Sequence, residues 1–465
     1  MIIINEEDLT ISGAGSPTDE IVYVPGASKK ARTGSKITLF KSVYEFDKEY
    51  KLSDFTIEYT ETEGEDEEST TVTKYEYEPT YMYVMELLNS GLQVLFDDVY
   101  QITNADRLTN VKTAVMTALT GTAAGTTTPR IAPAFEKLLD TWTFNPKYVT
   151  TGAYPLITGN SSEAGNPLTV NLTLVEMLAM VCTVRGDCQG LVSTDEFVRI
   201  DELQTSLGDQ IESNKTSFVM NGTNQTGIGN LVYTFPTGRK EENTTPYIRV
   251  TGPAINYYPQ LGQTLATLQN DSKTVIMSGA FAYLITLAEM VGTNQPDYLA
   301  VAGVTRGLVP HIHSITQDVT GAMAEAVVTK TNKTISINPI VMVNGRGYCI
   351  WGNRTLRQND ENGVSPLSFS NTRIMICNVK KVVRQACQDL KFETNNTELW
   401  LKFKSKVEPT LNDMIANGAL TEFKLERLQT ESRTSISVNI KLWCIYPVED
   451  FIVNVGLTDT TAEEI

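Results

Sequence analysis

Asn344-Gly345-Arg346-Gly347-Tyr348-Cys349-Ile350-Trp351-Gly352-Asn353-Arg354-Thr355-Leu356 heads the stretch that decides the fold. Glycines bracket a strand-like run. Arg373-Ile374-Met375-Ile376-Cys377-Asn378-Val379-Lys380-Lys381 reads as a second strand that runs into a helix. Within that helix Val379, Val383, Ala386, Cys387 and Leu390 recur at helical spacing and form one apolar stripe. Lys380, Lys381, Arg384 and Gln388 fall on the other side, which reads as solvated. A second helical pattern follows in Leu399, Phe403, Val407, Leu411 and Met414. Asn396 or Thr397 suits its N-cap, and Gly418 sits where a left-handed C-terminal residue is expected. Ile436, Val438, Ile440, Leu442, Cys444 and Tyr446 then alternate, the pattern of a half-buried strand.

This order of elements, with the Trp351-Gly352-Asn353-Arg354-Thr355 box at its head, resembles the C-terminal domain of contractile tail sheath proteins. Those proteins form the contracting sleeve of myovirus-type phage tails and of related injection machines. Further matches are the asparagine-rich turn before Leu399-Trp400, the Gly418-Ala419-Leu420 turn and the closing Pro447-Val448-Glu449-Asp450-Phe451-Ile452. Weaker ones lie upstream: Arg185-Gly186-Asp187, Ala254 to Pro259, and Pro296 to Gly307. Several ordered matches are more specific than any single box.

Composition agrees with a large packed protein. At 465 residues, with 41% hydrophobic and 20% charged residues, two or three packed units are expected. No run of eighteen apolar residues occurs, and the N-terminus lacks the basic-then-apolar order of a secretion signal. The sequence therefore reads as a soluble chain made in a cytoplasm, with no direct membrane insertion. The net charge of −17 argues against nucleic acid as a partner. From Arg373 to Tyr446, however, twelve Lys/Arg face eight Asp/Glu, a local excess of +4. That asymmetry points to an acidic partner for the C-terminal block. Six cysteines, none in a Cys-x-x-Cys pair, read as buried reduced thiols.

The order of segments gives five expected units. Residues 1–20 form an N-terminal arm whose Ile2-Ile3-Ile4 is too short to bury itself and borrows a partner, with addition to the chain's own sheet as the alternative. Residues 21–100 form a small β-rich domain that includes a hairpin with an acidic tip. Residues 101–343 alternate helical and strand periods, giving an α/β layer fold. Residues 344–448 form the α+β C-terminal domain, and residues 449–465 a second arm carrying Phe451, Val453, Val455 and Leu457. The expected class is mixed α+β.

Sheath middle domains are subtilisin-like, so hydrolysis has to be weighed. Only His311 and His313 exist, and both follow Ser278-Gly279-Ala280, whereas the subtilisin base precedes its serine. His311-Ile312-His313 places two imidazoles on one strand face, but no third ligand is near in sequence. The loop with Gly222, Gly227 and Gly229 mimics phosphate-loop spacing but carries Ile228 in the lysine position. No catalytic centre, cofactor or metal is expected.

The resemblance implies a structural subunit that polymerises as stacked six-fold rings around an inner tail tube. It implies baseplate and tail terminator proteins as further partners, and a place in a virion assembled in the host cytoplasm. Contraction would drive the tube through the host envelope for genome ejection. On this reading Lys380, Lys381 and Arg384 face the tube, and the two arms link subunits. The alternatives are a type VI or extracellular injection apparatus, or a soluble α/β hydrolase or binding protein.

Overall fold

The computed structural model describes residues 2–4, 20–31, 37–63, 70–103, 106–120, 133–141, 143–154, 157–158, 169–170, 172–194, 218–220, 223–225, 233–234, 240–241, 245–261, 274–327, 336–357, 365–428 and 434–449. After a short strand β1 (Ile2–Ile4), the body begins with β2 (Ile21–Ser28), β3 (Ile37–Phe40) and helix α1 (Val43–Glu49). The acidic hairpin follows as β4 (Thr56–Glu63) and β5 (Thr70–Tyr77), an antiparallel pair outside the main sheet. Next come α2 (Thr80–Asn89), β6 (Gln93–Gln101), α3 (Leu108–Thr120), β7 (Tyr148–Val149), α4 (Leu172–Arg185), β8 (Gln189–Ser193) and β9 (Ile248–Gly252). A three-stranded antiparallel sheet combines β10 (Ile255–Tyr257), β11 (Val275–Met277) and, beyond α5 (Gly279–Gly292), β12 (Ile312–Ile315). Strands β13 (Asn338–Val343) and β14 (Gly347–Ile350) complete the α/β layer.

The main sheet has eight strands in the order β14-β13-β9-β8-β7-β2-β6-β3. From β13 to β6 every neighbouring pair is parallel, while β14 and β3 cap the two edges antiparallel. Helices cover both faces. Val22, Val24, Val94 and Phe96 point into one core with α2 and α5. Ile21, Tyr23 and Leu95 point into the other with α3 and α4.

This topology corrects the expected division of the chain. Residues 21–100 do not stand apart as a β-rich domain, because β2, β3 and β6 belong to the same sheet as β8, β9 and β13. The physical reason lies in β2 itself. All eight of its residues are buried, so the run needs a layer on each side, as parallel strands do. Likewise the boundary at residue 344 cuts through the β13–β14 pair, which occupies one edge of this sheet.

The C-terminal unit consists of α6 (Ser370–Asp389), α7 (Thr397–Ala416), β15 (Leu420–Leu428) and β16 (Ile436–Cys444). Arg373 to Lys381, expected as a strand entering a helix, lies wholly within α6. Periodicity cannot separate a short apolar run such as Ile374-Met375-Ile376 from a buried helical turn. The rest of the pattern is as expected. Val379, Val383, Ala386, Cys387 and Leu390 pack with Leu399, Phe403, Val407, Leu411 and Met414 in one core. Asn396 caps α7 by accepting from Leu399 N at 2.9 Å, and Gly418 takes φ +71° just past its end, where a side chain would be strained. All six cysteines are free, five buried and Cys444 half-buried.

Candidate assembly surface

Strands β15 and β16, nine residues each, form an antiparallel hairpin that packs one face on α7 and turns the other to solvent. Leu420, Ile436 and Val438 are buried, whereas Leu428, Trp443, Ile445 and Tyr446 are exposed. Among the described residues β15 has a strand on one side only, so its outer edge presents free N–H and C=O groups. The opposite edge of the sheet is filled by β1, parallel to β16, with Ile2 opposite Ile436, Ile3 opposite Ser437 and Ile4 opposite Val438. Expected to borrow a partner, this run adds to its own sheet in the isolated chain. A lone chain has no neighbouring subunit to receive the run, and three paired residues make a small contact. Phe451, Val453, Val455 and Leu457 lie outside the described residues.

The cationic side of α6 needs correction. Lys381 and Arg384 are buried, and Lys380 is half-buried against the Tyr247 ring. Helix α6 runs past the N-terminal ends of the parallel strands and seats these side chains there. Lys381 Nζ donates to the carbonyls of Asn145 (3.2 Å) and Pro146 (3.1 Å), just before β7. Arg384 Nη1 donates to Asp187 Oδ2, just before β8, and Nη2 donates to Arg185 O. Asp187 also accepts from Arg185 Nε (3.0 Å) and Nη2 (3.1 Å). A second buried pair of contacts joins Lys147 to Glu20 (2.5 Å) and Asp297 (2.7 Å), and Asn378 of α6 donates to the same Asp297. These three cations are used within the chain and make no free basic face toward a tube.

The seam perturbs its own ionisation. Burial alone would raise the Asp187 carboxyl, but Arg185, Arg384 and Lys381 hold it well below the usual carboxylate range. Burial pushes Lys381 down to about 8, against the attraction of Asp187. Burial and the Arg384 charge push Lys380 down to about 7. Burial carries Glu20 up to about 7 despite Lys147. Sequence reasoning missed this network; the Arg185-x-Asp187 spacing was its one visible trace.

Ser278 caps α5 by accepting from Phe281 N at 3.2 Å, and the exposed His313 of β12 places Nδ1 2.8 Å from Tyr258 Oη. Among the described residues no group of three or more His, Cys, Asp or Glu is placed to hold a metal ion, and no helix is long and apolar enough to cross a membrane. Most of the loop around Gly222, Gly227 and Gly229 lies outside the described residues.

No family model matches the chain. The tail sheath protein of Vibrio phage KVP40 is 25% identical over 165 residues, which is 36% of this chain and 23% of that protein. The match thus spans about a quarter of the curated relative's length. Among solved structures, the sheath complex of the extracellular contractile injection system PVC, in its contracted state, aligns with a TM-score of 0.56 at 11% identity, over 98% of this chain and 96% of that one. A chain of the anti-feeding prophage baseplate aligns with a TM-score of 0.54 at 11% identity over 98% of both chains. The contracted helical sheath of the same prophage gives 0.51 at 12% identity, again over 98% of both. The fold is that of the contractile sheath proteins. Nearly the whole chain shares it, so the main sheet, with β2, β3 and β6 included, belongs to the sheath fold as much as the C-terminal hairpin does. The mixed α+β class expected from sequence holds.

Proposed function

We propose that this chain is the structural subunit of a contractile sheath, polymerising as a helical sleeve of stacked six-fold rings around an inner tube. The observation that carries this reading is the sheath fold running along 98% of the chain. In this reading the particle is a virion or phage-like particle, and baseplate and terminator proteins bound the sleeve at its ends. The sequence relative is a phage tail sheath protein, which favours a tail that ejects a genome. One structural neighbour is the sheath of an extracellular contractile injection system, which supports the second reading of the same sleeve.

The hairpin suits the work. An open β15 edge accepts a strand from a neighbour, and β1 on the other edge is short enough to exchange between its own sheet and the next subunit's. Heterologous contacts that do not close give helices rather than dimers. Contraction then needs no nucleotide: the extended sleeve is kinetically trapped and relaxes into a better-packed lattice when released. Deleting residues 1–18 or 449–465 is expected to leave the subunit folded by far-ultraviolet dichroism while tubes disappear. Regular tubes from either truncated chain would overturn the arm assignment.

A further inference from the structure

Residues 445–449 leave the hairpin and return to the α/β layer. Ile445 N donates to Ala419 O (3.1 Å), and the Tyr446 ring meets Phe369 edge-on with centroids 5.7 Å apart. Glu449, the last described residue, meets Arg354 of the Trp351–Thr355 box. Arg354 Nε donates to Glu449 Oε1 at 2.8 Å, and Nη2 donates to Oε2, a two-pronged contact. The guanidinium also lies 4.5 Å from the Phe369 ring centroid.

The cationic half of this contact is also held by groups other than Glu449. Arg354 N donates to Asn338 Oδ1 (2.7 Å), and its carbonyl accepts from Asn338 Nδ2 (2.9 Å). Asn338 is fully buried on β13, and Arg354 is 2% exposed. Apolar burial holds the returning stretch only weakly, because Ile445, Tyr446 and Val448 are all exposed, Val448 at 69%. Beyond the Tyr446–Phe369 ring contact, the charged fork ties its end to the body.

We propose that Arg354 is a positioning residue that clamps Glu449 and sets the direction in which the chain leaves the body. The following residues 450–465 thereby start from a fixed root toward a second copy of this chain. Fixing the root removes conformational freedom that strand donation would otherwise have to remove. The clamp stands on geometry alone, whereas its use in assembly rests on the sheath reading.

The test uses the full chain and Arg354→Met, which keeps the stem over Phe369 and removes the fork; far-ultraviolet dichroism checks folding. A protease that cuts after glutamate is applied, and mass spectrometry follows the 449–450 bond. Cutting there is expected to be at least about tenfold faster in Arg354→Met, as loss of a charge-assisted pair implies. In a second pair, trypsin should cut after residue 449 more slowly in Arg354→Glu/Glu449→Arg than in Glu449→Arg alone. Equal rates in either comparison overturn the clamp. The concentration at which tubes first form should rise several-fold in Arg354→Met, and an unchanged value overturns the positioning role. Fast cutting in the variant of a protein whose wild type makes no tubes sinks the sheath reading and the positioning role but leaves the clamp itself.

Discussion

Replacing Asp187 by asparagine should loosen α6 from the sheet. Asp187 is fully buried between two guanidiniums, those of Arg185 and Arg384, whose side chains are 0% and 7% exposed. Asparagine preserves shape and one acceptor but removes the carboxylate charge that bridges those two arginines. Breaking a buried ion pair from one side costs about 3–5 kcal/mol, since the remaining charge stays buried without its counterion. Here the lower end applies, because Arg185 keeps the carbonyls of Leu138 and Phe144, and Arg384 keeps that of Arg185. A chain of this size need not unfold in one step, so the suitable assay is native-state hydrogen exchange of peptides from Ser370–Asp389. A loss of about 3 kcal/mol corresponds to exchange faster by roughly a hundredfold. Peptides from Thr80–Asn89, far from the seam in sequence and packed elsewhere, serve as the control. Arg384→Met should cost less, because Asp187 keeps both bonds from Arg185. Exchange in α6 that changes less than threefold in Asp187→Asn would refute the idea that this triad fastens the C-terminal unit.

Stability should pass through a minimum near pH 7. Burial raises Glu20, Glu78 and Asp98 to about 7, so the stability their neutral forms contribute is lost as pH rises from the ordinary carboxylate range to about 7. Lys380 and Lys381, lowered to about 7 and about 8, act oppositely, and stability recovers from there toward their unfolded value. Thermal unfolding across pH 5 to 9.5 measures this, Glu78→Gln and Asp98→Asn should flatten the acid limb, and a maximum at pH 7 would contradict it. Gly279→Ala should destabilise the α5–β9 contact by about 1–3 kcal/mol, since a Cβ there would stand 2.3 Å from Thr251 O, a backbone atom with no easy way to yield. Urea denaturation followed by tryptophan fluorescence reads that loss, and an unchanged midpoint would show that the helix shifts freely.

Beyond the misread start of α6, the C-terminal unit was legible because its signals are local. Leu399 to Met414 repeats at helical spacing, Asn396 and Gly418 punctuate the helix, and Ile436 to Cys444 alternates, so each element announces itself within twenty residues. The fate of Lys381 and Arg384 was not legible. A cation opposite an apolar stripe reads as solvated until its partners are known, and Asn145, Pro146 and Asp187 lie about two hundred residues away. The false N-terminal domain has a related cause. Neighbours along the chain were read as a unit, whereas parallel strands such as β2 and β7 pair across more than a hundred residues. The unbroken Ile21-Val22-Tyr23-Val24 run was the available hint of a doubly covered strand. The Arg354–Glu449 contact was likewise invisible, although both residues sat in stretches already singled out.

The most direct test of the sheath account is electron microscopy of the purified full-length protein, in negative stain and then in ice, across a range of concentrations. The account expects long hollow tubes whose end-on views show six-fold rings, with each subunit's hairpin sheet extended by a strand from a neighbour. Particles that remain monomers or small closed oligomers at every concentration, with or without a tube to coat, would contradict it.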